Sequence, residues 1–257
     1  MNEFIPSFER QTQILDLLAR QGSLSVSDIV DQFSISEATA RRDLETLAGE
    51  GKLQRVHGGA VSLRKAPPEP PILQRENWQD DEKKRIGRAA ADLIGDGETV
   101  FLGSGTTVLE VARNLKKRKD LTVITNSLPV MTTLSSLPEI TVIALGGLLR
   151  KSELSFIGHI TEQSILDLRA DKVIIGIHAI SLEHGLTNDY LPETMTDRAI
   201  LQMGQKVLIV ADHTKFGSVS TVHVAAVEKI HTIITDTHVP MEFVESLRAK
   251  NVEVIVV

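Results

Sequence analysis

Residues 34–60 read SISEATARRDLETLAGEGKLQRVHGGA. Ser36 offers a hydroxyl to the free N–H groups that open a helix, and Ala40, Leu44 and Leu47 recur at i, i+4 and i+7 as its inner stripe. Thr39, Arg41, Arg42 and Thr46 fall largely outside that stripe. Gly51 stops the helix, and KLQRV, the glycine turn HGGA and VSL follow as a hairpin. Upstream, Ile14, Leu15, Leu17 and Leu18 mark one side of a first helix that closes at Gly22. Ser25 and Asp28 have the spacing of a capping box, and the helix they open, VSDIVDQF, turns Val26, Ile29, Val30 and Phe33 to a core. Helix, short helix, turn, capped helix and hairpin together predict a winged helix-turn-helix over residues 1–63.

A slim polar-flanked helix suits the major groove of a duplex better than it suits a small ligand. Ser36 and Thr39 are short enough to approach base edges or phosphates, and Arg41, Arg42 and Arg55 supply forked donors. His57, Gly58 and Gly59 form a wing tip that lets backbone pass close to the sugar–phosphate rail. Residues 41–65 hold six Lys/Arg against three Asp/Glu, whereas residues 1–65 hold eight against nine. The positive charge is therefore concentrated on the expected reading helix and wing, as a polyanion partner requires. The rival is a protein-contact module with Arg41 and Arg42 as an ordinary solvated face; the ordered coincidence of turn, cap, arginine pair and glycine wing favours DNA. Asp43 is expected to orient an arginine or close the helix surface, since phosphates repel it.

The composition sets outer limits. With 42% hydrophobic and 24% charged residues among 257, wholesale disorder is excluded. No apolar run approaches the roughly 18 residues of a membrane span, and the start MNEFIPSFERQ has no secretory h-region. The expected compartment is the cytoplasm, with no membrane partner. The absence of cysteine removes disulfides, thiolate zinc sites and cysteine nucleophiles. A formal charge of −6 argues against a uniformly basic coat but not against a local patch.

Residues 64–79 hold four of the nine prolines and read as a stiff, extended connector. From residue 80 to 257, β-branched runs at 99–102, 121–125, 140–145, 172–177, 206–211, 231–235 and 252–257 alternate with helix-period segments at 81–94, 106–116, 127–136, 159–169, 192–203 and 240–249. That alternation predicts a mostly parallel sheet covered on both faces. Ligands of such sheets sit beyond the carboxyl ends of strands. FLGSGTTVLEVARNL runs strand, glycine turn, helix, so Ser104, Gly105, Thr106 and Thr107 make a candidate anion cradle. It lacks the third glycine of a dinucleotide fingerprint and the lysine of a P-loop. Asn126 and Ser127 are candidate partners of sugar hydroxyls, Gly146 and Gly147 lie in another strand-end loop, and Arg150 and Lys215 can complement phosphate. Thr187 and Asp197 complete the candidate site, and Asp189, Glu193 and Asp197 are candidate acceptors for hydroxyls or an amine. Trp78 and Tyr190 read as packing or pocket walls.

The stretch at 34–60 resembles the signature of DeoR-family bacterial transcriptional regulators, through Thr39, Arg41, Arg42, Asp43, Leu44, Arg55, His57, Gly58, Gly59 and Ala60, with Arg10 and Ile14 in the opening helix. LGSGTT, VITNSLPV, LGGLLR with Gly158, HGLTN and VADHTKFG extend the resemblance through nearly the whole chain. It implies an amino-terminal winged helix joined to an α/β sensor domain similar in fold to ribose-5-phosphate isomerases and CoA transferases. It also implies a repressor of carbohydrate genes whose affinity for double-stranded operator DNA is controlled by a phosphorylated sugar or related metabolite. Two positions depart from the family pattern: Gly103 where an Asp is frequent, and Asp197-Arg198 where a Lys is frequent, its role open to passing to Arg198.

The rival function is a sugar-phosphate isomerase-like or acyl-transferring enzyme carrying an accessory winged helix. Glu193, Asp197 and Asp212 are conceivable bases, but no spacing singles one out. No catalytic residue and no cofactor are therefore expected. The histidines form no HxH or HExxH pair, and His178, His184 and His213 are scattered, so no metal site is expected either. A two-fold operator calls for a homo-oligomer, a dimer or tetramer.

Overall fold

The computed structural model describes residues 5–21, 23–62 and 64–257. The expected helix stop at Gly22, the strand end at Leu63 and the first four residues lie outside them, as do the side chains of residues 19–21, 62, 64 and 65.

The first unit is α1 (Ser7–Gln21), β1 (Ser23–Ser25), α2 (Val26–Phe33), α3 (Glu37–Gly49), β2 (Leu53–Val56) and β3 (Gly59–Ser62). Ser25 accepts from the Asp28 N–H while Asp28 accepts from the Ser25 N–H, which is the reciprocal cap its spacing predicts. Ser34 takes a left-handed conformation that ends α2, and Ser36 accepts from the Thr39 N–H to open α3. Ile14, Leu18, Ile29, Ala40, Leu44, Leu47 and Leu53 close a separate small core. The three strands form an antiparallel sheet in the order β1-β3-β2.

The connector does not stand off as a spacer. Its β4 (Arg64–Lys65) pairs in parallel with β14 (Ser218–Val219) of the second unit. The Ala66 N–H donates to the Val219 carbonyl, and α4 (Ile72–Arg75) begins where the Ile72 N–H reaches the Ser152 carbonyl. The proline-rich stretch is extended as expected, but it is fastened along its length.

The second unit runs α5 (Asp80–Asp92), β5 (Thr99–Leu102), α6 (Thr106–Arg113), β6 (Leu121–Thr125), α7 (Leu128–Leu134), β7 (Ile140–Ala144), β8 (Leu148–Arg150), β9 (Ser155–Ile157), α8 (His159–Leu166) and β10 (Ala170–Ile175). It continues with β11 (Ala179–Ser181), β12 (Gly185–Asn188), α9 (Leu191–Met203), β13 (Gly204–Val210), β14, β15 (Val222–Ala225), β16 (Thr232–Thr235), α10 (Met241–Ala249) and β17 (Glu253–Val256). Seven strands make one parallel sheet in the order β17-β16-β13-β10-β5-β6-β7. All seven were expected from their β-branched runs. Their side chains alternate between two cores, which is why the runs are apolar throughout: Val100, Leu102 and Ile174 pack under α5 and α6, while Phe101, Val173 and Ile175 face the core shared with α9 and α10. From β5 the chain builds outward through β6 and β7, then returns to β10 on the other side, so β5 and β10 flank the switch point of the sheet.

The antiparallel sheet β11-β12-β15 and the hairpin β8–β9 were not expected. Their strands are three or four residues long and lack sustained β-branched runs.

The two units touch through the wing. The His57 N–H donates to Ser246 Oγ on α10 (2.7 Å), and Val56 and Val61 are buried in the core shared with α9 and α10.

Candidate functional site

In α3 the inner face is Ala40, Asp43, Leu44 and Leu47, all buried, and Arg41 and Arg42 are exposed. Asp43 is held to α1: Arg10 Nε donates to it at 2.6 Å, Gln11 at 3.0 Å and Ser7 at 3.2 Å. Burial alone would raise the Asp43 carboxyl, but these donors and the Arg10 charge hold it below its usual value. It orients an arginine, as expected. Arg41 is engaged by Glu37 one turn earlier, while Arg42 makes no salt bridge among the described residues. Arg55 Nη1 donates to the Arg41 carbonyl, tying the hairpin to α3, and the Ser36 and Thr39 hydroxyls bond each other at 2.9 Å.

At the wing tip His57 and Gly58 are exposed, whereas Gly59 is buried. Gly59 lies on β1: a Cβ there would fall 2.2 Å from the Leu24 carbonyl oxygen, so the glycine serves packing inside the unit. Gly58 is exposed and left-handed, with its carbonyl accepting from the Val26 N–H, and the His57 backbone faces α10. Thr39, Arg41, Arg42 and Ser36 remain on or beside the outer side of α3.

At the switch point lies a cavity of about 520 Å³. Ser104, Gly105, Thr106, Thr107, Asn126, Arg150, Asp197 and Lys215 line it together, as expected. The other four candidates do not line it. Ser127 is buried and accepts from the Val130 N–H as the cap of α7. Gly147 is pressed on Thr161, whose hydroxyl would sit 2.2 Å from an added Cβ, and that hydroxyl donates to the Gly146 carbonyl. Thr187 is buried in β12 and accepts from the Ser220 N–H. Each is an ordinary cap, turn or strand role that a strand-end motif cannot be told from by sequence. Arg198 does not take the place of the missing lysine, because its guanidinium donates to the His223 carbonyl.

Apart from Trp78, read as packing or a pocket wall, sequence reading missed the connector's share. Pro67, Pro68, Glu69, Pro70, Arg75, Trp78 and Gln79 form a wall of the cavity, and Lys83 of α5 joins them. The available signal was Glu69 set among the prolines, with Arg75 and the sole Trp close behind, a mixture a plain spacer does not need.

The cavity's charges are closely matched. Glu69 binds both Arg75 (2.6 Å) and Lys215, and Arg75 also binds Glu153. Arg150 binds Glu193, lies 3.8 Å from Asp189 and stacks 4.5 Å above the Tyr190 ring. Lys83 donates to the Arg75 carbonyl at 2.7 Å, and burial lowers its pKa. Burial pushes Glu193 up to about 7 against the pull of Arg150, with Glu153 and Asp189 adding to the rise. Burial and then Glu193 raise Asp197 well above the usual carboxyl value, and it accepts from Asn188 Nδ2 at 2.6 Å. Burial also lowers His178, favouring a neutral ring. Asn126, which lines the cavity, donates from Nδ2 to the Phe156 carbonyl, and its buried Oδ1 has no partner among the described residues. The cleft thus offers cations and carboxyls whose hold on a proton burial strengthens.

Beside the cavity, His213 and His238 each bring Nδ1 to within 3.0–3.2 Å of the fully buried Asp236. Among the described residues this trio has donor atoms close enough to share an ion. Asp236 also accepts from both histidine N–H groups, so the carboxylate already serves as a turn anchor.

The family model for the DeoR C terminal sensor domain matches residues 78–237, and that for the DeoR-like helix-turn-helix domain matches residues 10–66. The chain belongs to the DeoR family. It is 36% identical over 230 residues to the transcriptional repressor AccR of Agrobacterium fabrum, covering 89% of each chain. It is 34% identical over 245 residues to the glycerol-3-phosphate regulon repressor of Escherichia coli (strain K12), covering 95% of this chain and 97% of that one. Ribose 5-phosphate isomerase A from Methanocaldococcus jannaschii aligns over 54% of this chain and 55% of that one at 16% identity, with a TM-score of 0.40. Both of these DeoR relatives are named as repressors. Among the described residues no helix is long and apolar enough to cross a membrane.

Proposed function

We propose that this DeoR-family chain is a cytoplasmic repressor of carbohydrate genes that binds operator DNA as a homo-oligomer through α3. A hydroxylated anion, a phosphorylated sugar or related metabolite, sets its operator affinity from the cleft. The observation that carries the effector reading is a cleft at the switch point of the sheet that gathers Arg75, Lys83, Arg150 and Lys215 around Thr106 and Asn126. An anionic group meets those cations and the N–H groups that open α6, and the carboxyls of the cleft accept from its hydroxyls. The relative named for a glycerol-3-phosphate regulon supports the polyol-phosphate class.

A thermal-shift screen of sugar phosphates, followed by operator binding by fluorescence anisotropy, tests this. The double variant Thr106→Val, Arg150→Ala is expected to lose the response to the hit compound while binding operator normally. A normal response by that variant would place the effector elsewhere.

A further inference from the structure

The cleft's cations already have partners, so an incoming anion competes with one of the protein's own carboxylates. Glu153 sits in the turn joining β8 and β9, and Glu193 and Asp197 sit on α9; all three belong to the body of the sensor domain. Glu69 alone comes from the segment leading to the DNA-binding unit. It stands between Pro68 and Pro70, and its carboxylate spans Lys215 and Arg75. Those two charges hold it ionised despite burial. Two residues upstream of Pro67 the same segment is paired with β14, four residues beyond Lys215 at its far end.

We propose that Glu69 is a tethered stand-in for the effector's oxyanion: it occupies the Lys215–Arg75 subsite in the empty state, and an effector acts by displacing it and releasing the connector. The proposal rests on reading the cleft as the effector site. A tethered carboxylate competes at a fixed, high local concentration, so it lowers the apparent affinity for a free anion by the fraction of time the subsite is closed. Its removal also leaves Lys215 without that ion pair and Arg75 with Glu153 alone, both charges that disfavour Lys83, and a bound oxyanion relieves this. Proline on both sides of Glu69 keeps the segment stiff, so displacement at the cleft is carried along the chain to β4 and the wing rather than absorbed locally.

The test uses the full chain with inorganic phosphate as probe. Trp78, the sole tryptophan and itself in the cleft wall, reports connector displacement by its emission. Calorimetry measures phosphate affinity, and anisotropy follows a duplex selected from a random pool by the wild-type chain. Glu69→Gln is expected to bind phosphate about tenfold more tightly than wild type, as removal of a competitor that closes the subsite about nine-tenths of the time requires. Lys215→Met is expected to lose phosphate binding. Both variants should nevertheless give the operator affinity of phosphate-saturated wild type, and both should show the shifted Trp78 emission without phosphate. A merely structural Glu69 would not move phosphate affinity upward. Equal phosphate affinity in wild type and Glu69→Gln overturns the stand-in while leaving the cleft reading intact. Absence of phosphate binding to Glu69→Gln overturns both.

Discussion

Arg10→Met tests how α3 is held in the reading position. The Arg10–Asp43 pair is nearly dry, with side chains 8% and 4% exposed, and it joins α1 to the inner face of α3. Methionine keeps most of the stem's packing but leaves a buried carboxylate facing only Gln11 and Ser7. Removing one partner of a buried pair costs about 3–5 kcal/mol. The two surviving hydrogen bonds, each worth about 1 kcal/mol, relieve part of that, leaving about 1–3 kcal/mol. Amide hydrogen exchange at Leu44 and Leu47 reads this locally, and protection should fall about 5- to 150-fold. Adding Asp43→Asn removes the stranded charge and should recover part of the loss, with a coupling of about 2 kcal/mol in the double-mutant cycle. The pH dependence should also reverse. In the wild type Asp43 sits below its ordinary 3.8, so its contribution is present above that value and is lost as pH falls through the lower folded value. In Arg10→Met burial raises the same group, and its stabilising influence is then present at low pH and lost as pH rises through the raised value. Protection within threefold of wild type, or an unchanged acid profile, would refute the claim that this pair positions the helix.

The remaining predictions concern both sites. Arg42→Ala should weaken operator binding by about 1–3 kcal/mol if the fork reads a base, whereas Arg41→Ala, its guanidinium already engaged by Glu37, should cost less; gel-shift titrations rank them. The logarithm of operator affinity should fall with the logarithm of salt at a slope near −0.9 per phosphate contact, and a salt-insensitive complex would contradict the assignment of α3. Glu193, raised to about 7, binds its proton more tightly folded than unfolded, so its contribution to sensor-domain stability is full below about 4.5 and lost as pH climbs to about 7. Melting curves of Glu193→Gln should lack that component.

Legibility in the sequence followed the size of the physical signal. The seven parallel strands each carry a run of Val and Ile long enough to demand burial on two faces, and each stood where expected to within two residues. The caps at Ser25 and Ser36 were equally plain, because a short side chain at fixed offset from an apolar stripe has few other uses. What escaped is long-range. Ser127, Gly146 and Gly147 follow strand ends just as Asn126 and Lys215 do, and only packing decides that Thr161 fills the space over Gly147 while Asn126 lines the cavity. The connector misled for the opposite reason: its prolines announce extension, but extension does not say whether a segment spans solvent or lies along a neighbour.

That difference bears on how two distant sites are coupled. Effector and operator can influence each other only if each binds two states of the chain unequally, and the factor must then be the same in both directions. The wing and connector supply a physical pair of states: in this one the His57 backbone holds α10, β4 pairs with β14, and Glu69 closes the cation subsite. All three contacts lie on one stretch of about a dozen residues, so breaking the last strains the first two. Exposed ion pairs contribute under about 1 kcal/mol, too little for a decisive switch. Glu69 and Arg75 are mostly shielded from water, which places the coupling in the usual allosteric range of about 1–3 kcal/mol, or roughly 5- to 150-fold in operator affinity. An effector response beyond that range would need contacts in addition to Glu69 that differ between the two states.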